Sequence, residues 1–156
     1  MTTVVHETQL HPDYPLPAVD HPVTGPFWSA CREQRLTLQR DRESGDWHWP
    51  PKPGRWKGGR LVWTEVSGQG HVHTWVVGAE PFLPAFGDLL PHIMVVVQLA
   101  EGPRMVGHMI GMKPEEMRFD LPVRIAWKVL NESVTLPVWE LDRPAPTGPD
   151  HNTTED

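Results

Sequence analysis

The sequence has little of what disulfide-linked, exported or membrane-anchored proteins require. It contains a single cysteine, Cys31, so no internal disulfide can form. No apolar run approaches the ~20 residues of a membrane-spanning helix, and no charged and then apolar leader begins the chain. We therefore expect a protein that is neither exported nor anchored, with a cytoplasmic location.

Motifs of independent catalysis are missing as well. The sequence has no Gly-x-Ser-x-Gly elbow, no phosphate-binding glycine loop and no His-Glu-x-x-His. Glu115 and Glu116 follow a lysine and a proline, a pattern typical of a solvated turn. Cys31 has no recognisable partner motif, which favours a core cysteine over a nucleophile. We predict no catalytic residue in this chain, and we favour an accessory or binding function.

Charge is distributed unevenly along the 156 residues. Residues 31–60 carry eight basic and four acidic side chains, a net charge of +4, whereas residues 61–156 carry six basic and thirteen acidic ones, a net charge of −7. The basic segment suits coenzyme or nucleic-acid phosphates, or an acidic partner, and a solvated surface explains it equally well.

Most of the remaining pattern is that of β-strands. Residues 71–77 alternate, with Val72, Thr74 and Val76 on one face and His71, His73, Trp75 and Val77 on the other. Gly68 and Gly70 precede them and mark either a tight turn or a bulge in one long strand. Residues 93–99 form a continuous apolar run, which predicts a strand buried on both faces. Residues 104–110 and 123–129 predict its antiparallel neighbour and a closing strand, so residues 62–129 form a small curved barrel.

The N-terminal part has a different texture. Residues 1–24 are rich in proline, which favours an extended arm that either lies on a partner or frays. Gly25 and Pro26 open a helix, on which Phe27, Ala30 and Cys31 share a face. Residues 36–40 and 47–49 alternate as short strands separated by glycines and prolines, which predicts two small hairpins.

Four stretches in this order carry a family resemblance: PFWSACREQRLTLQR, WHWPPKPG, LVWTEVSGQGHVHTWVV and PHIMVVVQLAEGPRMVGHMIG. Over about residues 24–141 the chain resembles the family called domain of unknown function thirty-five (DUF35). The resemblance implies a mainly β fold, in which an N-terminal helix and a rubredoxin-like zinc ribbon precede a five-stranded OB-fold barrel. It divides the chain into an arm (1–24), a helix with ribbon (25–60), a barrel (61–141) and a disordered tail (142–156).

The resemblance also implies a role. Members of this family accompany thiolase-like or lipid-transfer-protein-like enzymes, and sometimes hydratases, that act on acyl-CoA thioesters, including steroid side-chain CoA esters. The chain is accordingly expected to be a non-catalytic subunit of a hetero-oligomer that stabilises its partner and helps to shape acyl-CoA access. Arg55, Lys57 and His92 are the residues expected near the acyl-CoA.

The zinc ribbon is degenerate in this sequence. The family pattern has two Cys-x-x-Cys pairs, and by spacing Asp41 and Ser44 stand at the first pair and Arg55 and Gly58 at the second. Structural zinc requires four strong nitrogen or sulfur ligands, and an arginine is a permanent cation. We therefore expect that no zinc is bound and that tryptophans supply the packing instead.

The sequence leaves two other functions open, a divalent-metal site and nucleic-acid binding. His71 and His73 share a strand face and, with His48, His92 and His108, are candidate ligands of a divalent metal. No carboxylate accompanies them at a characteristic spacing. The alternative is a nucleic-acid-binding OB-fold with Trp47, Trp49 and Trp75 as stacking platforms. The net charge of −7 over residues 61–156 disfavours it.

The predicted contact surface for a partner combines the helix with the loop of residues 80–91. That loop is unusually apolar for a connection between strands, and its prolines reduce the cost of ordering it on a partner. The alternative is that the loop folds onto its own barrel. The predicted partner-binding residues are Phe27, Trp28, Arg32, Phe82, Pro84 and Phe86.

Overall fold

The computed structural model describes residues 1–53 and 60–143, which form two β-sheets and one α-helix. In chain order the elements are β1 (Val4–His6), α1 (Gly25–Arg32), β2 (Thr37–Asp41), β3 (Trp47–His48), β4 (Leu61–Glu65), β5 (Gln69–Gly78), β6 (His92–Leu99), β7 (Arg104–His108), β8 (Pro122–Val129) and β9 (Thr135–Leu141). Turns of 3₁₀-helix lie at Pro84–Leu89 and Pro114–Glu116. No helix in the described part of the chain has the length and apolar character to span a membrane.

Strands β5 to β9 form the predicted barrel. Antiparallel pairing runs in the order β8, β5, β6, β7, with β9 on the other edge of β8. The barrel closes between β7 and β9, where Met109 bridges Trp139 and the N–H of Ile110 donates to the Trp139 carbonyl at 2.8 Å. This five-stranded, partly open arrangement is the OB-fold, and the predicted mainly β fold is confirmed.

The smaller sheet has β2 at its centre, between β3 and β4. β4 therefore pairs with β2 and not with a barrel strand, although the sequence pattern placed residues 62–129 in one barrel. Gly68, at a φ of +70°, turns the chain between the two sheets, and a Cβ there would lie 2.5 Å from Ile125. The turn is the alternative that the structure supports, since only glycine fits this conformation and this close contact.

The alternation predicted for β5 holds only in its first half. Val72 is fully buried, but Thr74 and Val76 are exposed, and Val76 retains 58% of its surface. The register with β6 shifts between Val72 and Thr74, and the extra residue, His73, moves the following side chains to the opposite face. The expected shared face of Val72, Thr74 and Val76 was therefore wrong.

Strand β6 was also expected to be buried on both faces, and this was wrong. Ile93, Val95, Val97 and Leu99 are in the core, whereas Met94 is 43% exposed. An antiparallel barrel strand has one face toward the interior and one toward solvent, so a run of apolar residues does not by itself show two-sided burial.

The N-terminal arm neither frays nor awaits a partner over residues 4–6. β1 pairs in parallel with the second half of β8, next to the half that pairs with β5. The Glu7 carboxylate accepts a hydrogen bond from the Lys128 ammonium, with the charged atoms 2.9 Å apart. Residues 4–6 of the arm thus add a short strand to the barrel sheet.

Helix α1 begins as predicted, with proline in its first turn. Its buried residues are Phe27, Ala30 and Cys31, and of these Phe27 and Cys31 join the core cluster between the helix, the small sheet and the barrel. Burial raises the pKa of the Cys31 thiol to about 12, so this cysteine stays protonated and unreactive at neutral pH.

Candidate functional site

A cavity of about 490 Å³ lies against the outward residues of β6 and β7. Its walls come from the arm, α1, the segment after β3, the loop before β6, and strands β6 to β9. The residues that line it are Tyr14, Thr24, Phe27, Trp28, Trp49, Pro51, Phe86, Leu89, His92, Met94, Met105, Val106, Gly107, His108, Lys128, Leu136, Pro137 and Val138. The volume and the mostly apolar lining are typical of a small-molecule site.

Aromatic rings in mutual contact form much of the wall. Phe27 packs against Trp28 and Trp49, with ring centroids 5.0 and 4.9 Å apart. On the other side, Tyr14 from the arm meets Phe86 edge-on at 5.4 Å. Such edge-on and tilted contacts stabilise aromatic pairs beyond their burial, so they help to hold the wall together.

The basic groups among the described lining residues are two imidazoles and one ammonium. The rings of His92 and His108 meet edge-on, with centroids 4.4 Å apart. Burial, with the nearby charges of His92 and Lys128, lowers the pKa of His108 to about 4. Burial and Lys128 also lower the pKa of His92. At neutral pH the imidazoles of His92 and His108 are therefore neutral, and among the described lining residues the cation is Lys128, which is paired with Glu7.

Behind the cavity, Gly107 makes room for the barrel closure. A Cβ at this position would lie 2.6 Å from the indole of Trp139, which is fully buried. Within residues 1–53 and 60–143 the indole N–H of Trp139 has no hydrogen-bond acceptor. A side chain at position 107 would displace this ring and separate β7 from β9.

The structure brings four of the predicted site residues to this cavity: Phe27, Trp28, Phe86 and His92. Phe27 is only 3% exposed, so it forms the wall and does not face solvent. Phe82 is 91% exposed, and Pro84 is also exposed on the same loop. Arg32 is exposed on α1, in a separate small cleft beside Ser133. Arg55 and Lys57 lie outside the described residues.

Sequence reasoning missed several residues of the cavity. Tyr14 was assigned to a loose arm, and Val106 and Met94 were counted only as strand residues. Lys128 had a detectable signal, because a lysine within an apolar strand that is buried requires a partner, and it is 9% exposed. His108 was considered only as a metal ligand. Its neighbour across the sheet is Met94, so the pairing register places it at the cavity.

The predicted stacking tryptophans are engaged within the chain. Trp47 receives the Arg40 guanidinium at 4.9 Å from its ring centroid. Trp75 packs on Phe119 at 5.0 Å, and Trp49 is part of the cavity wall. A base-stacking platform requires an open ring face, so this arrangement adds to the charge argument against nucleic acid.

The structure does not assemble the candidate histidine site for a divalent metal. His71 and His73 are exposed on β5, and the nearest carboxylate to His71 is that of Asp120 at 3.9 Å. Over the described ranges, no three histidine, cysteine, aspartate or glutamate side chains are grouped so as to hold a metal ion.

Asp41 stands at the first Cys-x-x-Cys pair of the family pattern, and its carboxylate accepts hydrogen bonds within the chain. Its Oδ1 accepts the backbone N–H groups of Glu43 at 2.8 Å and of Ser44 at 3.2 Å, and its Oδ2 lies 3.3 Å from the Arg60 guanidinium. The Glu43 N–H, with the Ser44 N–H and Arg60, lowers the pKa of Asp41 below its usual value. Arg60 also pairs with Glu43. Asp41 and Ser44 therefore do not fit a zinc ion. Arg55 and Gly58 lie outside the described residues.

We therefore predict that the fold is independent of zinc. Purified protein should contain no stoichiometric zinc, and a chelator should leave its melting temperature unchanged. Asp41→Ala should lower the melting temperature by a few degrees, because the turn N–H groups and Arg60 lose their acceptor. Asp46→Ala, in the same turn, is the matched control. A chelator-induced fall of several degrees would show that the ribbon holds metal.

Comparisons with known proteins agree with this geometry. The sequence profile of the family described as "ChsH2, C-terminal OB-fold domain" matches residues 63–128. A solved structure titled "Ltp2-ChsH2(DUF35) aldolase" superposes with a TM-score of 0.72 at 27% identity, covering 81% of this chain and 98% of that one. The resemblance to the DUF35 family is therefore confirmed over the OB-fold part of the chain.

Curated relatives are similar to this chain over most of its length. It is 32% identical over 134 residues to a "Probable enoyl-CoA hydratase alpha subunit" of Thermomonospora curvata, covering 84% of the chain. It is 31% identical over 117 residues to the "3-oxo-4,17-pregnadiene-20-carboxyl-CoA hydratase alpha subunit" of Mycobacterium tuberculosis, covering 74% of the chain. The chain spans only 40% and 35% of the lengths of these relatives.

Proposed function

We propose that this chain is a non-catalytic accessory subunit of a complex that processes acyl-CoA thioesters. Its partner would be a thiolase-like or lipid-transfer-protein-like aldol lyase, and the acyl groups would include steroid side chains. The chain would stabilise the partner and help to shape the entry of the acyl-CoA, with no bound cofactor of its own.

The observation that supports this most directly is the convergence of the accessory elements on one cavity. The arm, α1, the segment after β3 and the 80–91 loop are additions to a minimal five-stranded barrel, and each contributes to the wall. If these elements only stabilised the fold, we would expect them to pack together without an apolar cavity between them. The similarity to a structure titled as an aldolase, and to CoA-hydratase subunits, supports the choice of reaction class.

Exposed apolar residues support an interface at the cavity mouth. Met94 and Val106 line the cavity and remain 43% and 60% exposed. Phe82, on the loop that supplies Phe86, is 91% exposed. A solvent-facing phenylalanine beside an apolar opening is typical of a protein contact, where aromatic and arginine side chains provide most of the binding energy.

Chemistry would belong to the partner, because the described residues offer little for it. The thiol of Cys31 is buried with its pKa raised to about 12. The imidazoles of His92 and His108 pack against each other, and His92 also packs against Phe86. Among the described residues neither ring is hydrogen-bonded to a nucleophile.

The test is reconstitution with the Ltp2-type enzyme of the same source cell. We expect that co-expression gives one peak in size-exclusion chromatography and that the complex cleaves its acyl-CoA, whereas this chain alone does not. His71→Ala and His73→Ala should change turnover less than twofold, because both side chains are exposed and away from the cavity lining. Separate elution of the two proteins would contradict the proposed function, and loss of turnover in an intact His71 or His73 variant complex would contradict the non-catalytic role.

A further inference from the structure

Beyond the barrel closure at Met109 and Trp139, the gap between β7 and β9 lies along the cavity. Residues 105–108 of β7 and residues 136–138 of β9 all line it. Successive side chains of a strand point to opposite faces, so consecutive residues can line one space only where that space lies at the strand edge. The cavity therefore opens onto the backbone edges of both strands.

The pairing with β6 shows which backbone groups of β7 face this gap. The N–H of Met109 donates to the Ile93 carbonyl at 2.9 Å, so Met109 directs its backbone groups toward β6. The direction alternates along a strand, so the backbone groups of Val106 and His108 point away from β6 and into the gap. The N–H of Ile110, next in this series, donates across the gap to β9 at 2.8 Å, which agrees with that direction. Within residues 1–53 and 60–143, β6 is the only strand that pairs with β7 at these positions.

The two strand edges at the gap differ in how they would receive another strand. On β9, Trp139 uses its outward carbonyl in the barrel closure, and Pro137, two residues earlier on the same edge, has no N–H to donate. Proline is one of the usual means by which an edge strand is protected against further pairing. On β7, Val106 is uncharged, can donate its N–H and is 60% exposed. The β7 edge is therefore the one that is open to a further strand.

The groups on this edge specify the chemistry of an occupant. Backbone N–H and carbonyl groups that face the gap at every second residue are matched by an extended peptide, which offers the same groups at the same spacing. The apolar lining beside them, which includes Trp28, Met94 and Leu136, favours uncharged side chains. Residues 144–156 of this chain have three prolines, three acidic residues and no large apolar side chain, so they do not match.

We infer that the enzyme subunit supplies this strand, as an extended, uncharged segment that pairs with the 5 residues of β7 and covers the cavity. The inference rests on the proposed function, which supplies the partner, and it adds backbone pairing to the contact made by the 80–91 loop. The two contacts are adjacent, because Phe86 packs on His92 and His92 packs on His108, with ring centroids 6.4 and 4.4 Å apart. In such strand addition, backbone hydrogen bonds give affinity and side-chain pockets give specificity.

Val106→Pro tests the pairing in the complex of the full chain with the enzyme subunit. The N–H that it removes points away from β6, so the barrel sheet keeps its hydrogen bonds, and association should weaken tenfold or more. Val106→Ala keeps the N–H and should weaken association threefold or less. Surface plasmon resonance gives the affinities, and circular dichroism establishes that each variant is folded.

Glu65→Pro is the matched control for the proline substitution. Glu65 is exposed on β4 and lies outside the cavity lining. The N–H of its neighbour Val66 donates to the Leu36 carbonyl, so the N–H of Glu65 points away from β2, as that of Val106 points away from β6. This variant should bind the enzyme subunit as wild type does.

Hydrogen–deuterium exchange of the unsubstituted proteins gives a second readout that does not depend on the folding of a variant. Mass spectrometry with fragmentation to single residues follows the individual amides. Those of Val106 and His108 should exchange at least tenfold more slowly in the complex than in the chain alone, because they become hydrogen-bonded in a sheet. The amide of Glu65 should exchange at the same rate in both.

Unchanged exchange at Val106 and His108 in an intact complex would overturn the inference and leave the proposed function standing. So would association of folded Val106→Pro within threefold of wild type. Protection of these amides without the enzyme would also overturn it, and would assign the edge to a second copy if it rises with concentration, or to the chain's own tail if truncation after Arg143 removes it. Failure of the unsubstituted proteins to associate would overturn both the inference and the proposed function.

Discussion

Replacing Phe82 and Phe86 together by alanine should weaken association with the partner enzyme by about 2 kcal/mol or more, roughly 30-fold in Kd. Phe82 is 91% exposed and buries almost nothing in the isolated chain, so its removal acts on the interface alone. Phe86 contacts Tyr14 and His92, so its removal also loosens the cavity wall. Surface plasmon resonance on the reconstituted pair gives the affinities.

The single variants separate the two effects. Phe82→Ala should lower the affinity without changing the melting temperature, whereas Phe86→Ala should lower both. Phe119→Ala is the matched control, because Phe119 is also an exposed phenylalanine, at 66%, but it lies next to Trp75 on another part of the barrel. If the double variant binds as tightly as wild type, or if Phe119→Ala is equally impaired, the loop is not the contact surface.

Acidification should destabilise the isolated chain between about pH 6.5 and pH 4, and His108 should account for the largest single share. Its pKa is lowered from 6.5 to about 4 in the folded protein, mainly by burial. The unfolded chain therefore takes up the proton first as the pH falls, which favours unfolding. The stabilisation is complete above pH 6.5 and is lost toward pH 4, a change on the order of 2 to 3 kcal/mol.

Urea unfolding at several pH values, followed by tryptophan fluorescence, measures this effect. His108→Gln should have a flatter dependence of unfolding free energy on pH than wild type, and His73→Gln, on the exposed face of β5, should match wild type. The other titratable groups nearby, His92 and the Lys128–Glu7 pair, are retained in both variants. The lowered pKa values of Glu7 and Asp41 affect stability below their usual values of 4.5 and 3.8, at the acidic edge of this window. Parallel curves for wild type and His108→Gln would show that His108 titrates as a free imidazole.

Local patterns determined much of the fold. The helix at Gly25–Arg32 follows from Pro26 in its first turn and from apolar residues at helical spacing. The barrel strands follow from period-two and apolar runs, and the order of the quoted stretches indicated the OB-fold and the family. That the positions of the implied Cys-x-x-Cys pairs hold no cysteine is read directly from the sequence, whereas the zinc ribbon and the absence of zinc remain predictions.

Positions that depend on strand pairing were beyond such patterns. One extra residue at His73 reverses which side chains of β5 face the core, and no local property of Thr74 or Val76 reveals it. The strand at Leu61–Glu65 pairs with an edge of β2. This pairing depends on how distant segments assemble and not on a local sequence pattern. The parallel pairing of Val4–His6 joins segments more than a hundred residues apart.

For the candidate site as well, some residues are indicated by the sequence and others only by the tertiary structure. The sequence alone indicated that Trp28, Phe82, Phe86 and His92 were worth attention, because aromatic residues in a helix face or a loop are costly to expose. Only the tertiary structure showed that Phe86 and His92 share a cavity with Tyr14, His108 and Lys128, while Phe82 stays in solvent. The reason is physical: composition and period determine what each segment buries, but the partners of a side chain are set by register, closure and packing between segments distant in the chain.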